Sequence, residues 1–306
     1  MKPKRIILAG GSGFIGTALA GALVARQYEV VVLTRSPRER SDGVTEAEWD
    51  GAHVGEWLKF LDGAEAIVNL TGRNVNCPHT PENLREILAS RVNSVRAISL
   101  AFGHVPHPPR VWIQAAATGF YGDCADRPCP EILFAGANDL AKVCEQWENA
   151  FHSVDAPKTR QVLLRIGFVL GREGGALPVL SRLTKWFLGG SVGGGRQFIS
   201  WIHLADLTRM FSAAIEREDL TGTFNAVGPN PVTNAEFMRE LRRARHRPWS
   251  LPVPELAVRL GAKLMGSEPS LALTGQRCTP KRFLEAGFEF QFPQLAPALN
   301  DLCRIN

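Results

Sequence analysis

The residues with the most specific chemistry lie near the start of the chain, in Gly10-Gly-Ser-Gly-Phe-Ile-Gly16, a G-x-x-G-x-x-G turn. Glycines in this pattern let a backbone turn tightly and come close to a pyrophosphate. The free N–H groups of a following helix then meet the pyrophosphate charge. The elements needed on either side are present. Arg5-Ile-Ile-Leu-Ala9 reads as a short buried strand, and Phe14, Ile15, Ala18, Leu19, Ala22 and Leu23 recur at helical spacing. Glu29-Val-Val-Val-Leu-Thr34 reads as a second buried strand. Strand, glycine turn, helix and strand make a dinucleotide-binding unit, with Gly10, Gly11, Ser12, Gly13, Phe14, Ile15 and Gly16 as the expected contacts. An acidic residue after the second strand would hold a free ribose 2′-hydroxyl. The chain has Thr34-Arg35-Ser36 there instead. A guanidinium between two hydroxyls suits a 2′-phosphate, so the expected cofactor is NADP(H). Arg38 and Arg40 read as solvated neighbours.

Other groups carry less. The six cysteines are scattered with no paired metal-ligand spacing and read as free thiols of a reducing compartment. His104-x-x-His107 lies in a Pro-rich loop, and no metal site is expected. Arg239, Arg242, Arg243, Arg245 and Arg247 spread around a helix with few aromatics nearby. They read as a solvated face, and no nucleic-acid partner is expected. The net charge of +5 over 306 residues is a mild attraction for anions. Ile6 to Ala25 runs twenty positions without a charge behind the basic Met1–Arg5 segment, the length of a membrane helix or signal. Its five glycines and its division into strand and helix argue against both. A cytoplasmic protein with no membrane partner is expected.

Positioning these residues requires a sheet. Strands are predicted at 65–70, 110–115, 161–170 and 223–227, and helices at 81–102, 138–152 and 203–216. That alternation gives an α/β chain, a doubly wound parallel sheet of Rossmann type. With 45% apolar and 21% charged residues the chain is globular, and it is long enough for a second lobe. After about 170, Gly171, Gly174, Gly175, Gly189, Gly190 and Gly193–Gly195 break it into loops. The expected division is a dinucleotide domain over 1–170, completed by about 203–228. A smaller α/β substrate lobe takes 171–202 and 229–306, with a ligand cleft between the two. Arg196 and Gln197 in the glycine loop and His203 at a helix entrance are expected at that cleft, His203 bracing it by hydrogen bonds.

Several motifs together resemble the extended and atypical short-chain dehydrogenase/reductase superfamily, in the subgroup called epimerase family proteins. They are the glycine turn, Asn69-Leu-Thr-Gly72, Glu86-Ile-Leu-Ala-Ser-Arg91, Gly119-Phe-Tyr-Gly-Asp123 and Val143-Cys-Glu-Gln-Trp-Glu148. Arg165-Ile-Gly-Phe-Val-Leu-Gly171, Gly195–His203 with Asp206, and Gly275-Gln276 with Ala286-Gly-Phe288 complete the set in family order. The resemblance implies an NADP-binding lobe with Leu70, Thr71, Gly72, Glu86 and Arg91 along the cofactor. Ala115, Ala116 and the Gly167 turn are implied beside them.

The resemblance also implies a Tyr-x-x-x-Lys helix and a serine for proton transfer, and here the sequence departs. Counting along the motifs, the serine position falls on Ala116 or Ala117, the tyrosine on Leu140 and the lysine on Cys144. Only Tyr28 and Tyr121 occur, and Tyr28 lies too far along the sheet edge. Three readings stand. Tyr121 or Thr118 acts as acid/base; or Cys144 or Glu148 takes another catalytic role; or the chain binds NADP(H) without hydride chemistry. The substrate is a small molecule that the sequence does not identify, and a homodimer stays open.

Overall fold

Short aliphatic runs apolar on both faces must be covered on both sides, and this dictates a parallel sheet between helical layers. The computed structural model describes residues 3–304. Met1 and Lys2 of the basic start, and Ile305 and Asn306 at the end of the expected second lobe, lie outside the described residues. The first half runs β1 (Arg5–Ala9), α1 (Phe14–Ala25), β2 (Glu29–Thr34), β3 (Val44–Glu48), α2 (Leu58–Leu61), β4 (Ala66–Asn69), α3 (Pro81–Phe102) and β5 (Val111–Ala117). A one-turn 3₁₀ segment (Thr118–Tyr121) leads to β6 (Pro128–Cys129), α4 (Asp139–His152), β7 (Arg160–Ile166) and β8 (Phe168–Leu170). Then come α5 (Leu177–Lys185), β9 (Phe198–Ile199), β10 (Trp201–His203), α6 (Leu204–Glu216), β11 (Gly222–Ala226), β12 (Val232–Thr233) and α7 (Asn234–Ala244). The chain closes with α8 (Glu255–Leu264), α9 (Ser270–Leu273), β13 (Arg277–Cys278), α10 (Lys281–Glu285) and α11 (Leu295–Cys303).

Seven strands form one sheet in the order β11-β7-β5-β4-β1-β2-β3, every pair parallel. The order reverses between β1 and β4, and the crevice beyond the carboxyl ends of those strands is where such sheets take ligands. Side chains alternate between the faces. Ile6, Leu8, Val30 and Val32 pack with α1 and α6, while Ile7, Ala9, Val31 and Leu33 pack on the opposite face with α3. A further apolar cluster joins Leu170, Leu177, Trp201, Phe237, Leu241 and Leu299, beside the main sheet. No helix among the described residues is long and apolar enough to cross a membrane.

Two elements of the main sheet differ from expectation. The strand expected over 161–170 is two, because the chain leaves the main sheet at Gly167 so that β8 can pair with β10. A Cβ at Gly167 would stand 2.2 Å from the Ser200 carbonyl oxygen, so only glycine permits that crossing. The second is β3, which no pattern announced. Its residues Val-Thr-Glu-Ala-Glu bury little at the sheet edge, and register with β2 decides the conformation.

The junction at β10 and α6 explains the Trp-Ile-His-x-x-Asp motif. His203 is the N-cap of α6, its Nδ1 accepting from the Ala205 N–H at 3.1 Å. Its ring stacks on Phe292 with centroids 3.9 Å apart. Asp206, fully buried, accepts the backbone N–H groups of Gln291 and Phe292 at 2.8 Å each. The pair thus fastens the C-terminal segment to the sheet. Burial holds the His203 imidazole below its ordinary pKa, against the raising influence of Asp301 and Asp206. A folded pKa below the unfolded value of about 6.5 means that the stability is present at neutral pH and fades as pH falls from there toward the folded value. Thermal unfolding between pH 7.5 and 5.5 checks this. The wild-type melting temperature should fall over that interval, and His203→Asn, which caps without titrating, should fall less.

Candidate dinucleotide-binding site

The loop from β1 to α1 is built by crowding on one side and openness on the other. Gly10 takes φ +72°, and a Cβ there would lie 2.9 Å from Thr71 Cα. Gly16 packs onto Gly11, where a Cβ would meet backbone at 2.4 Å. Gly13 differs: the nearest atom to its missing Cβ is the Gly10 carbonyl oxygen at 4.0 Å. One glycine makes the turn, one leaves backbone approachable, and one packs the helix on the loop. No side chain caps α1 and no acidic residue sits in its first turn, so its leading N–H groups suit an anion. Phe14 is enclosed from the far side, since Cβ atoms at Gly171 and Gly174 would stand 2.5 and 2.3 Å from its ring. This explains Gly171 and Gly174.

At the end of β2, Thr34 Oγ1 donates to Ser12 Oγ at 3.4 Å, and Ser36 is exposed beyond it. The exposed Arg35 has no carboxylate partner among the described residues, whereas Arg40 is paired with Asp42 and Glu46. A guanidinium without a carboxylate partner, on a segment with three hydroxyls, has the chemistry to suit a phosphate monoester. At the end of β4 the buried Asn69 donates to Ser94 Oγ and Gln114 Oε1, both at 3.0 Å, and accepts the Thr71 N–H at 3.1 Å. This network fixes the Leu70-Thr71-Gly72 turn over the glycine loop. Thr71 Oγ1 is buried and has no hydrogen-bond partner, which is costly unless a ligand supplies one. Arg91, largely buried, donates to the Arg73 and Ile87 carbonyls and stacks on Trp147, 5.0 Å from guanidinium to ring centroid. Glu86 is exposed and pairs with Arg73, while Ala115 and Ala116 are buried in β5. Asn69, Ser94 and Gln114 were not singled out by sequence reasoning as site residues of their own. A buried amide in the middle of an apolar strand run was the available signal.

The residues expected to carry catalysis are placed otherwise. Tyr121 is fully buried, donates to Asn225 Oδ1 at 2.8 Å and accepts from Arg165 Nη1 at 2.9 Å. Burial raises its pKa well above the ordinary phenol value despite the nearby Arg165. A hydroxyl so committed is poorly placed to exchange protons with a substrate. Cys144 is buried behind Gly119, and desolvation pushes its thiol up to about 12, the Arg91 charge notwithstanding. It is a packed neutral thiol and no thiolate nucleophile. Glu148 holds Arg165 through two oxygens at 2.7 to 3.2 Å, both side chains buried, and is a structural partner. Lys142 is exposed beside Asp139. Leu140 lies against Gly119, where a Cβ would meet its Cδ2 at 3.6 Å. Thr118, also buried, begins the 3₁₀ segment at the carboxyl end of β5, and no hydrogen bond of its hydroxyl occurs among the described residues.

In the second half, Gln197 donates to the Val192 and Ala272 carbonyls at 3.2 and 2.9 Å, tying its loop to α9. Arg196 beside it is exposed. His203 serves as the helix cap already described, apart from the glycine loop in sequence and role. No metal-binding cluster of His, Cys, Asp or Glu occurs among the described residues.

A doubly wound sheet with an open anion loop at its switch point defines a nucleotide-binding α/β protein. The profile of the NAD dependent epimerase/dehydratase family matches residues 6–227, and that of a domain of unknown function, DUF1731, matches 253–302. The chain belongs to the NAD dependent epimerase/dehydratase family, in the group of epimerase family proteins. It is similar to epimerase family protein YfhF of Bacillus subtilis, 34% identical over 97% of each chain. Human epimerase family protein SDR39U1, solved with NADPH, superposes with a TM-score of 0.87 at 31% identity, covering 98% of this chain and 99% of that one. A nucleoside-diphosphate sugar epimerase from Corynebacterium glutamicum gives 0.78 at 29% identity, over 97% of this chain and 57% of its own.

Removing one partner of the buried ion pair should cost about 3–5 kcal/mol. Urea unfolding of Glu148→Ala should show a loss of that size, and Tyr121→Phe a smaller one of about 1–2 kcal/mol. A Glu148→Ala protein as stable as wild type would remove this pair from the account.

Proposed function

We propose that the chain binds NADP(H) at the glycine loop and serves as an oxidoreductase or epimerase of the atypical short-chain kind, on a small molecule, without a Tyr-Lys relay. The observation that carries the cofactor assignment is the exposed, unpaired Arg35 beside Thr34, Ser12 and Ser36 at the end of β2. A family member solved with NADPH supports it. When bound, the nicotinamide supplies hydride chemistry. The chain's own residues bind and orient. Gly10, Gly11, Gly13, Phe14, Ile15 and Gly16 with the α1 N-terminus take the pyrophosphate, and Arg35 takes the 2′-phosphate. The orphaned Thr71 hydroxyl supplies a hydrogen bond. Leu70, Gly72, Glu86, Arg91, Ala115, Ala116 and the Gly167 turn line the remaining path. Thr118 orients the substrate oxygen, and Arg196 faces the substrate cleft. The division into a lobe of 1–170 with about 203–228, and a second of 171–202 and 229–306, is part of the same proposal, as is a cytoplasmic setting.

A second reading, an NADP(H)-binding sensor, is favoured by one observation: Leu140 and Cys144 stand where a proton relay would be, and neither carries a mobile proton near neutrality. Arg35→Ala should weaken NADPH by about 10–100-fold, the loss of a charged hydrogen-bonding partner, and leave NADH unchanged. Titration calorimetry reads both constants, and an unchanged NADPH-to-NADH ratio would remove the 2′-phosphate assignment. Thr118→Ala should lower kcat on whatever carbonyl substrate is turned over, with the NADPH Kd unmoved. No turnover across a broad carbonyl and nucleotide-sugar panel, with tight NADPH binding, selects the sensor.

A further inference from the structure

A surface helix normally turns polar residues outward, and α8 does the reverse. Of its ten residues only Ala262 is buried, while Leu256, Leu260 and Leu264 are 68, 56 and 89% exposed. At about 100° per residue this leucine row lies roughly opposite Val258 and Ala262, the side on which the helix rests. The apolar surface continues beyond the helix. Trp186, Leu188, Trp249 and Leu251 are all more than half exposed. The Phe187 and Trp249 rings sit 5.3 Å apart, and a bridge between Val192 and Val253 joins the two stretches just before α8 begins. Twelve of the sixteen exposed large apolar side chains among the described residues fall within 179–188 and 249–271. Concentration of this kind marks a surface that is covered by something.

Charge says by what. Residues 177–188 and 234–271 hold nine Arg and Lys against four Glu, a net +5, which is the surplus of the whole chain. Arg182, Lys185 and Lys263 have no acidic partner among the described residues, and Arg247 lies over the Phe187 ring at 5.2 Å. Leucine, methionine and tryptophan rimmed by lysine and arginine are the composition of a segment that lies in a lipid headgroup layer. A second copy would bring these cations against themselves, which is unfavourable. A nucleic acid would leave the leucines without a partner.

We propose that this chain docks through the exposed leucine face of α8 and the Trp186 and Trp249 tips onto an anionic lipid surface. The contact is peripheral, so the absence of a spanning helix among the described residues does not oppose it. It does revise the expectation of no membrane partner, which rested on the N-terminal run and did not weigh α8. The proposal stands independently of the cofactor assignment.

The test is flotation of the full-length protein with phosphatidylcholine vesicles, with and without about a third phosphatidylglycerol. Anionic vesicles should retain at least about tenfold more protein at low salt, and high salt should release most of it. Because Trp49, Trp57, Trp112, Trp147 and Trp201 are buried, the tryptophan emission shift on binding should come from Trp186 and Trp249. Leu260→Glu with Leu264→Glu should abolish retention while leaving the unfolding midpoint in place. Equal retention on both vesicle types, or none, overturns the proposal. So does a lipid-free dimer that the double variant dissociates, which would assign the face to a second copy.

Discussion

A guanidinium inside a protein must be paired, and Arg165 is the buried cation around which the carboxyl ends of the central strands are arranged. It stands on β7 beside Asn225 on β11 and binds Glu148 of α4, the Tyr121 hydroxyl and the Glu131 carbonyl. It also lies over the Phe120 ring at 3.6 Å. Asn225 extends the network, donating to the Cys129 and Thr279 carbonyls and so holding the short β6–β13 pair. One charge thus fixes a helix, two sheet strands, the 3₁₀ segment and the C-terminal loop relative to one another. The demand for partners explains why Tyr121, Glu148 and Arg165 stand together in the fold. They are a scaffold at the carboxyl end of the sheet.

The glycine loop is the complement of that scaffold. It is held by contacts that exclude side chains, with Gly10 under Thr71 and Gly16 on Gly11, while Gly13 opens outward. The Asn69 network fixes the opposing turn and leaves Thr71 Oγ1 without a partner. Rigid backbone, free helix N–H groups and one unsatisfied hydroxyl make a preorganised anion site. Arg35 stands exposed at its edge.

Much of this was legible in the sequence, and the reasons are physical. Strands apolar on both faces and helices with a sharp period are local signals, so β1, α1, β2, α3 and α4 could be read directly. The glycine turn carries its own geometry. Edge strand β3 could not be read, because its pattern is set by a neighbour. The break at Gly167 was invisible because its cause, the Ser200 carbonyl, is 33 residues away. The partners of Tyr121 were hidden for the same reason: a tyrosine near the end of a strand suggests chemistry, and the arginine that bonds to it lies 44 residues on. The apolar outward face of α8 was present in the spacing of its leucines, but only burial shows which side of a helix is inward.

Tyr121 belongs to the Arg165 scaffold, and the function proposed above has a substrate at the nicotinamide meet Thr118 and Leu140 instead. A crystal structure of the chain with NADPH tests this most directly. In that complex the Tyr121 hydroxyl should keep its bonds to Asn225 and Arg165, with Thr118 the nearest side-chain hydroxyl to nicotinamide C4. A complex in which Tyr121 has left Asn225 and turned its hydroxyl to the nicotinamide would contradict it.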